Sequence, residues 1–483
     1  MNVIKSEKSD PVGSAAGAKP ERNRTVLPHL FCFTLLQLGL ILLFTPTLIL
    51  AGIYAKYFGL SLVQLAGVTL LARFFDAITD PLVGYWSDKV KERTGSRKSF
   101  CLVGGLMLVP LSYFLYVPLG IEAGADQGVS IFYFASLYVA FYWAYTLFQV
   151  PYLGWANEFT RDGAEKVQVF TAMNFMSGLG MLLFYGVPFL SYFSTTDVTP
   201  DVLKLTTALG VLLFGIGLVV ALIYVPDGPV VNADRGTRVV FRRELFELYT
   251  SLVANKPFLL YIAIANVSGL GMGLWLGLFF TFVDSYLQQG AVYAKISILG
   301  VFVALAAMPL WYKVVMQIGK RVTWLVYSSC TVLFFLSLGF LQAGVGEAYI
   351  IGLYIFYLLV AAASTTTGGP ILCDIIDYGR LKKDTTNSGL MFALQGLLLK
   401  LPMAVGTALS LAIAGWFGYD ATLEGGQTAS AEFGMRLGVS WLPALFMFLS
   451  LFLIFRMSLT ERRMEIIRKR LERRTESSGA LLN

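Results

Sequence analysis

The sequence predicts an all-α membrane protein with twelve transmembrane helices in two six-helix bundles. Hydrophobic residues make up 56% of the 483 positions and charged residues only 14%, whereas soluble domains carry about 25% charged residues. The mean hydropathy is +0.68, and the shortage of charge extends along the whole chain. This composition indicates a protein that crosses the bilayer many times.

Twelve segments are apolar over the length that a bilayer crossing requires, about 20 residues. In chain order they are residues 28–56, 62–87, 100–120, 130–157, 168–193, 204–225, 257–287, 293–317, 322–343, 348–378, 387–417 and 433–458. They divide the chain into an N-terminal bundle, a cytoplasmic central loop and a C-terminal bundle, at residues 28–225, 226–256 and 257–458. Residues 1–27 lack the apolar core of a cleaved signal peptide, so we expect a cytoplasmic tail there and a second, basic one at residues 459–483.

The distribution of basic residues predicts the orientation. Loops after even-numbered spans are rich in lysine and arginine, whereas loops after odd-numbered spans are poor in base and rather acidic. Basic loops stay in the cytoplasm, which places both termini there and fits a bacterial inner membrane. The same distribution explains the net charge of +7 without nucleic-acid binding. The four cysteines form no CxxC pair, which argues against a disulfide framework or a zinc site.

An internal echo favours a duplicated six-helix unit. Span four ends with Pro151 and, seven residues later, Glu158; span ten ends with Pro370 and, seven residues later, Asp377. A basic loop follows in both places. The two spans are six apart, as a repeat of six helices requires.

Two acids in span two are the main candidates for chemistry. Asp76 and Asp80 are four residues apart, so they share one helix face. Each charge at membrane depth costs roughly 2.5–3.5 kcal/mol on insertion scales, so the pair needs a cation, a base or a proton. Arg73 can neutralise one carboxylate and leave the other for Na⁺ or H⁺, with the Thr79 hydroxyl as a further oxygen ligand. A structural ion pair between helices is the alternative.

Lys400 is the second unusual charge. It stands thirteen residues into span eleven, near the bilayer centre. A buried ammonium needs a partner, and either Asp76 or Asp80 would join the two halves across a central cavity. A lysine that extends to the membrane surface is the alternative.

Charged residues at the predicted cytoplasmic helix ends are candidates for gate contacts between the halves, against the alternative of ordinary positive-inside charge. They are Asp88, Arg93, Glu158, Asp374, Asp377 and Arg380. Polar and aromatic residues within spans are candidates for substrate contacts, although amides also join helices and aromatic residues commonly face lipid. They are Gln37, Tyr145, Gln149, Tyr152, Asn174, Phe392 and Gln395. Gln149 is favoured because Pro151 interrupts helix hydrogen bonding nearby.

Three segments in order resemble the glycoside–pentoside–hexuronide:cation symporters, the melibiose permease-like branch of the major facilitator superfamily. They are residues 76–84 (DAITDPLVG), residues 149–152 (QVPY) with Glu158, and residues 373–379 (CDIIDYG) followed by Lys400. The likeness extends from about residue 28 to 458.

The resemblance implies the major facilitator fold and a coupling-cation site at Asp76 and Asp80. It further implies that Thr146 adds a hydroxyl ligand and that Lys400 reaches the same site, and Arg73 matches a basic residue of the motif. The acids with which the melibiose permease holds sugar hydroxyls on spans one and four are not matched. Span one offers Gln37 and span four offers Gln149, and Met173 or Asn174 replaces an arginine expected in span five.

These observations predict a secondary active transporter. It would be a monomeric symporter of Na⁺ or H⁺ that imports a glycoside or similar small organic solute by alternating access, with no cofactor besides the coupling ion. A carrier of a lysophospholipid or other amphiphile is the alternative, and a non-transporting membrane sensor on a carrier scaffold is the second. An enzyme is not expected, because no nucleophile–base pair or metal cluster is evident.

Overall fold

The computed structural model describes residues 26–118, 128–160, 163–227, 255–383, 388–423, 425–457, 461, 463–467, 469–470 and 473. The side chains of residues 26, 27, 163, 164, 365, 380, 382, 383 and 388–399 are outside this description. The described residues form helices and connecting turns, with no strand. The all-α prediction is confirmed.

In the described residues, seven α-helices belong to the first half and seven to the second. The first seven are α1 (Val26–Phe44), α2 (Leu50–Phe58), α3 (Leu62–Thr94), α4 (Lys98–Tyr116), α5 (Ile131–Glu158), α6 (Gly163–Gly186) and α7 (Pro200–Tyr224). The second seven are α8 (Lys256–Thr281), α9 (Gly290–Ile318), α10 (Lys320–Leu338), α11 (Glu347–Lys383), α12 (Ser388–Trp416), α13 (Ala429–Arg436) and α14 (Leu442–Phe455). Short π-helical turns, Phe282–Tyr286 and Leu437–Trp441, extend α8 and join α13 to α14.

Within this described part, eleven helical segments are long and apolar enough to cross a membrane. A shorter apolar segment, Lys400–Trp416 of α12, lies within the eleventh predicted span, residues 387–417. Two spans extend beyond their predicted ends, because hydropathy detects only the apolar part of a helix. α3 continues to Thr94, where Gly95 ends it in the left-handed conformation (φ 81°), and α11 continues to Lys383.

The two halves repeat the same helix pairings. In the first half α1 packs on α6 and α7, α3 packs on α5, and α4 packs on α5 and α7. In the second half α8 packs on α12 and α14, α9 packs on α11, and α10 packs on α11 and α14. Counted as spans, these are the same pairs shifted by six. This agreement supports the duplication that the proline–acid echo indicates.

Glycine permits the closest helix contact in each half. A Cβ on Gly39 of α1 would lie 2.3 Å from the backbone nitrogen of Phe214 in α7. A Cβ on Gly273 of α8 would lie 2.1 Å from the carbonyl oxygen of Met403 in α12. Only glycine lets these backbones approach so closely, which is how helices commonly pack in membranes.

Span one is broken into two helices by a 3₁₀ turn, Thr45–Leu48, which contains Pro46. The hydroxyl of Thr45 donates to the carbonyl of Ile41 (2.7 Å), and that of Thr47 donates to the carbonyl of Phe44 (2.8 Å). These threonine hydroxyls donate to carbonyls that the break in the helix would otherwise leave without a hydrogen-bond partner at membrane depth. Irregular backbone is stable there for this reason.

The halves meet at the end of the molecule that carries the loops after odd-numbered spans, which we call the closed end. There α3 packs on α12, α6 on α9 and α2 on α8. A Cβ on Gly415 would lie 2.9 Å from the backbone nitrogen of Val63, and the rings of Tyr185 and Tyr293 lie 6.0 Å apart. Each of these contacts joins the first half to the second.

Candidate cation and substrate site

The carboxylates of α3 converge with a hydroxyl of α5. The Thr146 hydroxyl oxygen lies 2.7 Å from Asp76 Oδ1 and 3.1 Å from Asp80 Oδ1. Thr146 is 1% exposed. Because α3 packs on α5, side chains one helical turn apart on α3 reach the same hydroxyl. This brings together the residues that the motif resemblance assigned to one site.

Lys400 joins this cluster from the other half. Its Nζ atom lies 3.0 Å from Asp80 Oδ2, in an ion pair between α12 and α3. The side chain of Lys400 is 68% exposed and that of Asp80 is 23% exposed, so the pair is accessible rather than enclosed by the core. Of the two partners that the sequence left open, the structure selects Asp80.

The donor set suits a hard monovalent cation. Asp76, Asp80 and Thr146 offer oxygen atoms only, which are the ligands that such cations prefer. Among the described residues there is no group of three or more histidine, cysteine or acidic side chains that could hold a metal ion. The same carboxylates could equally take a proton, so the geometry alone suits both Na⁺ and H⁺.

Arg73 does not neutralise a carboxylate directly, contrary to the sequence-based expectation. Its guanidinium carbon lies 4.5 Å from the ring centre of Tyr142, in a cation–π contact. No ion pair between Arg73 and Asp76 is present in the described part of the chain. The arginine side chain follows the surface of α5, so direct pairing falls to Lys400.

The Thr79 hydroxyl is also used differently from the expectation. It donates to the backbone carbonyl of Asp76 at 3.3 Å, and Thr79 is 5% exposed. A hydroxyl bonded to its own helix does not lie with the carboxylates on the adjoining face. Thr146, rather than Thr79, supplies the hydroxyl beside the acids.

Two glutamines place polar atoms without partners in the first half. Gln37 of α1 is 6% exposed, and its amide nitrogen donates to the Ser177 hydroxyl of α6 at 3.0 Å. The side-chain oxygens of Gln37 and Gln149 are buried and have no hydrogen-bond partner. Buried acceptors normally have partners, so these two oxygens are among the exceptions in the described part of the chain.

The remaining residues that were predicted to contact substrate differ in their exposure. Tyr145 is partly exposed and stacks on Phe44 with ring centres 4.6 Å apart, and Asn174 is exposed on α6. Tyr152 is fully buried, stacks on Phe33, and donates to the Phe33 carbonyl at 2.8 Å. Because its ring and hydroxyl are both occupied by the core, the expectation of substrate contact at Tyr152 is wrong. The side chains of Phe392 and Gln395 lie outside the described residues.

Asp88, a predicted gate residue between the halves, pairs instead with Arg97 of its own half. The Arg97 guanidinium donates to Asp88, to the Ser87 hydroxyl (2.7 Å) and to Glu158 Oε1 (2.9 Å). Arg93 is exposed, since α3 continues past it and five residues turn its side chain away from Asp88. Burial lowers the pKa of Arg97, but its bonds to Asp88 and Glu158 outweigh burial and raise the pKa above its usual value.

At the end of the molecule that carries the loops after even-numbered spans, each described ion pair joins residues of the same half. Glu158 pairs with Arg97 and with Lys91 (2.8 Å), all in the first half. Asp374 is 5% exposed and pairs with Lys320, both in the second half. The expectation that Glu158 bridges the halves is therefore corrected, because its partners on neighbouring helices of the same bundle are closer. Bridging by Asp374 stays a prediction. Asp377 is partly exposed on α11, and the Arg380 side chain is outside the described residues.

Sequence reasoning missed two sets of residues. Arg97 follows the turn at Gly95, and only that turn brings it back across the end of α3. Lys56 and Asp284 form an ion pair across the halves, yet each stands near the end of a span, where single charges are ordinary. No sequence signal separated these residues from flanking charge.

Comparisons with known proteins agree with this architecture. A family model described as MFS/sugar transport protein matches residues 33–461. The "Uncharacterized symporter YnaJ" of Bacillus subtilis is 23% identical over 429 residues, covering 87% of this chain and 89% of that protein. The "Glucuronide carrier protein homolog" of Escherichia coli is 23% identical over 458 residues, covering 90% and 93%.

The fold is similar to that of solved transporters. A crystal structure of a mutant of the nucleoside transporter NupG matches with a TM-score of 0.65 at 12% identity, and covers 89% of this chain and 100% of that chain. Such low identity supports the fold alone. Together with the family match over most of the chain, the twelve-span architecture is that of a transporter and not of an enzyme. The chain belongs to the MFS/sugar transport family, and it is a secondary active transporter of the glycoside–pentoside–hexuronide:cation symporter type within the major facilitator superfamily.

Proposed function

We propose that this protein imports a neutral glycoside or similar small polar solute together with Na⁺ or H⁺, which binds at Asp76, Asp80 and Thr146. One observation carries the proposal. A single hydroxyl lies within 3.1 Å of both carboxylates, while an ammonium from the opposite half pairs with one of them. A cation that enters this site competes with the contact that joins the halves.

The coupling follows from that competition. In the empty carrier Lys400 neutralises Asp80. A cation among the oxygens of Asp76, Asp80 and Thr146 replaces the ammonium, so Lys400 leaves and an inter-half contact is lost. Solute that binds between the halves then meets a different arrangement of them. Since the coupling is reciprocal, bound solute raises the affinity for the cation by the same factor.

The amide side chains support a neutral solute. Gln37 and Gln149 present acceptor oxygens without partners, and such atoms suit hydroxyl or N–H donors. They lack the charge with which a carboxylate would strengthen those bonds. The sugar-related names of relatives, such as the "Isoprimeverose transporter" of Lactiplantibacillus pentosus at 24% identity, support a glycoside as the solute class.

The amphiphile alternative gains no support from the helix seams. A lipid-like solute requires a sideways opening between spans two and eleven or spans five and eight. At the closed end both seams are packed, as the approach of Gly415 to Val63 and the contact of Tyr185 with Tyr293 illustrate.

We also propose the setting in which the carrier works. Because the loops after even-numbered spans are basic, these loops and both termini would lie in the cytoplasm. The closed end then faces outward in a bacterial inner membrane. We propose that the carrier acts as a monomer, since Asp76, Asp80, Thr146 and Lys400 come together within one chain and the site needs no second chain.

The decisive experiment replaces each acid in turn. Asp76→Asn and Asp80→Asn proteins would be reconstituted in vesicles, and cation-driven accumulation measured with a panel of glycosides, a nucleoside and a lysophospholipid. We expect both variants to lose accumulation, because each removes a charged ligand. Asp201→Asn, at an exposed acid in the first turn of α7, should accumulate normally. Cation-dependent accumulation in both Asn variants would overturn the proposed site, and a response to the lysophospholipid alone would favour the amphiphile reading.

A further inference from the structure

A second ion pair joins the halves at the closed end, between residues other than those of the Asp76–Asp80 site. Lys56 Nζ of α2 lies 2.8 Å from Asp284 Oδ2, in the π-helical turn after α8. The Ser285 hydroxyl donates to the same oxygen at 3.2 Å. The pair therefore connects the ends of spans one and seven, which are corresponding spans of the two halves.

The two members of the pair differ in their access to water. The Asp284 side chain is 1% exposed and the Lys56 side chain 22% exposed. A cavity of ≈ 440 Å³ beside them is lined by both residues and by Asp197, Gln288 and Gln289. Water in this cavity can reach the ammonium, whereas the carboxylate depends on Lys56 for its neutralisation.

The backbone around the pair is packed for contact between the halves. A Cβ on Gly52 of α2 would lie 2.4 Å from the ring of Phe280 in α8. A Cβ on Gly290 would lie 2.4 Å from Asp284 Oδ1 and 2.7 Å from Asp197 Oδ1. Asp284 and Asp197, which come from opposite halves, thus both approach the start of α9. Lys56 is the cation that lets these two acids stay in one place.

We propose that Lys56 and Asp284 form a latch that stabilises the conformation closed at this end, and that they separate each time the carrier opens there. The proposal rests on alternating access by this carrier, and it concerns closure rather than the cation site. Opening moves α2 from α8, and the carboxylate then exchanges lysine for water. Removing either charge should shift the equilibrium from the conformation closed at this end towards the open one. The two shifts should differ in size.

The inequality follows from burial. In Lys56→Gln the carboxylate of Asp284 remains in the closed state without a countercharge, beside Asp197, so the closed state loses stability strongly. In Asp284→Asn the ammonium of Lys56 can turn into the water-filled cavity, so the loss is smaller. The double variant has neither charge, and its two amides can bond to each other, so it should return towards the original balance.

Hydrogen exchange of the purified full chain tests this. In Lys56→Gln we expect exchange of residues 50–58 and 282–290 to rise by about tenfold or more, with a fall at the opposite end, in residues 370–379. Asp284→Asn should show a smaller rise, and Lys56→Gln with Asp284→Asn should restore slow exchange. Lys295→Gln is the matched control, because Lys295 pairs with Glu347 at 2.6 Å within one half, and it should leave residues 50–58 unchanged.

Two outcomes would overturn the latch. One is unchanged exchange at both ends in Lys56→Gln. The other is a double variant that exchanges as fast as Lys56→Gln, since that would indicate local loosening rather than an unbalanced charge. Because exchange is measured without cation or solute, failure here is distinct from failure of the Asp76 and Asp80 experiment.

Discussion

Replacing Thr146 with valine removes one hydroxyl from the cation site and keeps the branched shape of the side chain. The hydroxyl has one proton and two lone pairs. It lies 2.7 Å from Asp76 Oδ1 and 3.1 Å from Asp80 Oδ1, so it donates to one carboxylate at a time when the site is empty. Its oxygen can also coordinate a bound cation. Thr146→Ser retains both abilities and is the matched control.

The size of the effect follows from these contacts. A hydrogen bond to a charged group contributes about 1.5–3 kcal/mol, and Thr146 is 1% exposed, so water does not replace the hydroxyl. The empty site loses a donor and the loaded site loses a ligand, so the two losses partly cancel. We expect a net weakening of cation binding of about 1–2 kcal/mol, which is roughly five- to thirtyfold.

The assay is solute uptake into vesicles as a function of Na⁺ concentration at fixed pH, and of pH without Na⁺. Thr146→Val should raise the half-saturating concentration of whichever cation drives uptake, and Thr146→Ser should not. Equal half-saturation in the valine variant and the original protein would refute the view that this hydroxyl is a ligand. A fall in folded yield with unchanged half-saturation would assign the hydroxyl to helix packing instead.

Two further predictions concern the charge pair and the helix crossing. Lys400→Gln removes the ammonium that competes with the cation for Asp80; this ammonium is 3.0 Å from Asp80 and largely exposed. The cation concentration that gives half-maximal uptake should fall about tenfold, as expected for roughly 1.4 kcal/mol at the dielectric constant of water. An unchanged or higher half-saturating concentration would contradict the competition. Gly39→Ala places a Cβ 2.3 Å from the backbone of Phe214 and should destabilise the protein by about 1–3 kcal/mol, measured by thermal unfolding. The control Gly67→Ala, where a Cβ would have no neighbour in another described helix within 4 Å, should be neutral or slightly stabilising. Equal melting temperatures of the two variants would count against the close crossing of α1 and α7.

Hydropathy and charge spacing predicted most of the architecture. Apolar length is what a bilayer selects, so the twelve spans followed directly from composition. Asp76 and Asp80 were also identifiable, because a pair of acids at helical spacing is exceptional within an apolar segment. Lys400 stood out for the same reason. Its choice of Asp80 over Asp76 depends on how α12 crosses α3, which no local pattern specifies.

Contacts that depend on helix crossings were predicted poorly. Tyr152 has the same sequence character as Tyr145, yet only the core contact with Phe33 shows that it is buried. Asp88 pairs with Arg97 of its own half rather than with a residue of the other half, because the turn at Gly95 brings Arg97 back across the end of α3. Such outcomes are set by tertiary packing, and single-sequence reasoning has no access to it.

The 3₁₀ break in span one has a mechanical consequence. A continuous helix moves as a rigid body, so a tilt at one end is accompanied by the same tilt at the other. Here α1, which carries Gln37, and α2, which carries Lys56, are separate rods joined at Thr45–Leu48. The joint keeps its hydrogen bonds through two threonine hydroxyls, so bending it need not sacrifice them. The helix that holds Gln37 can therefore stay in place while α2, at the closed end, tilts away.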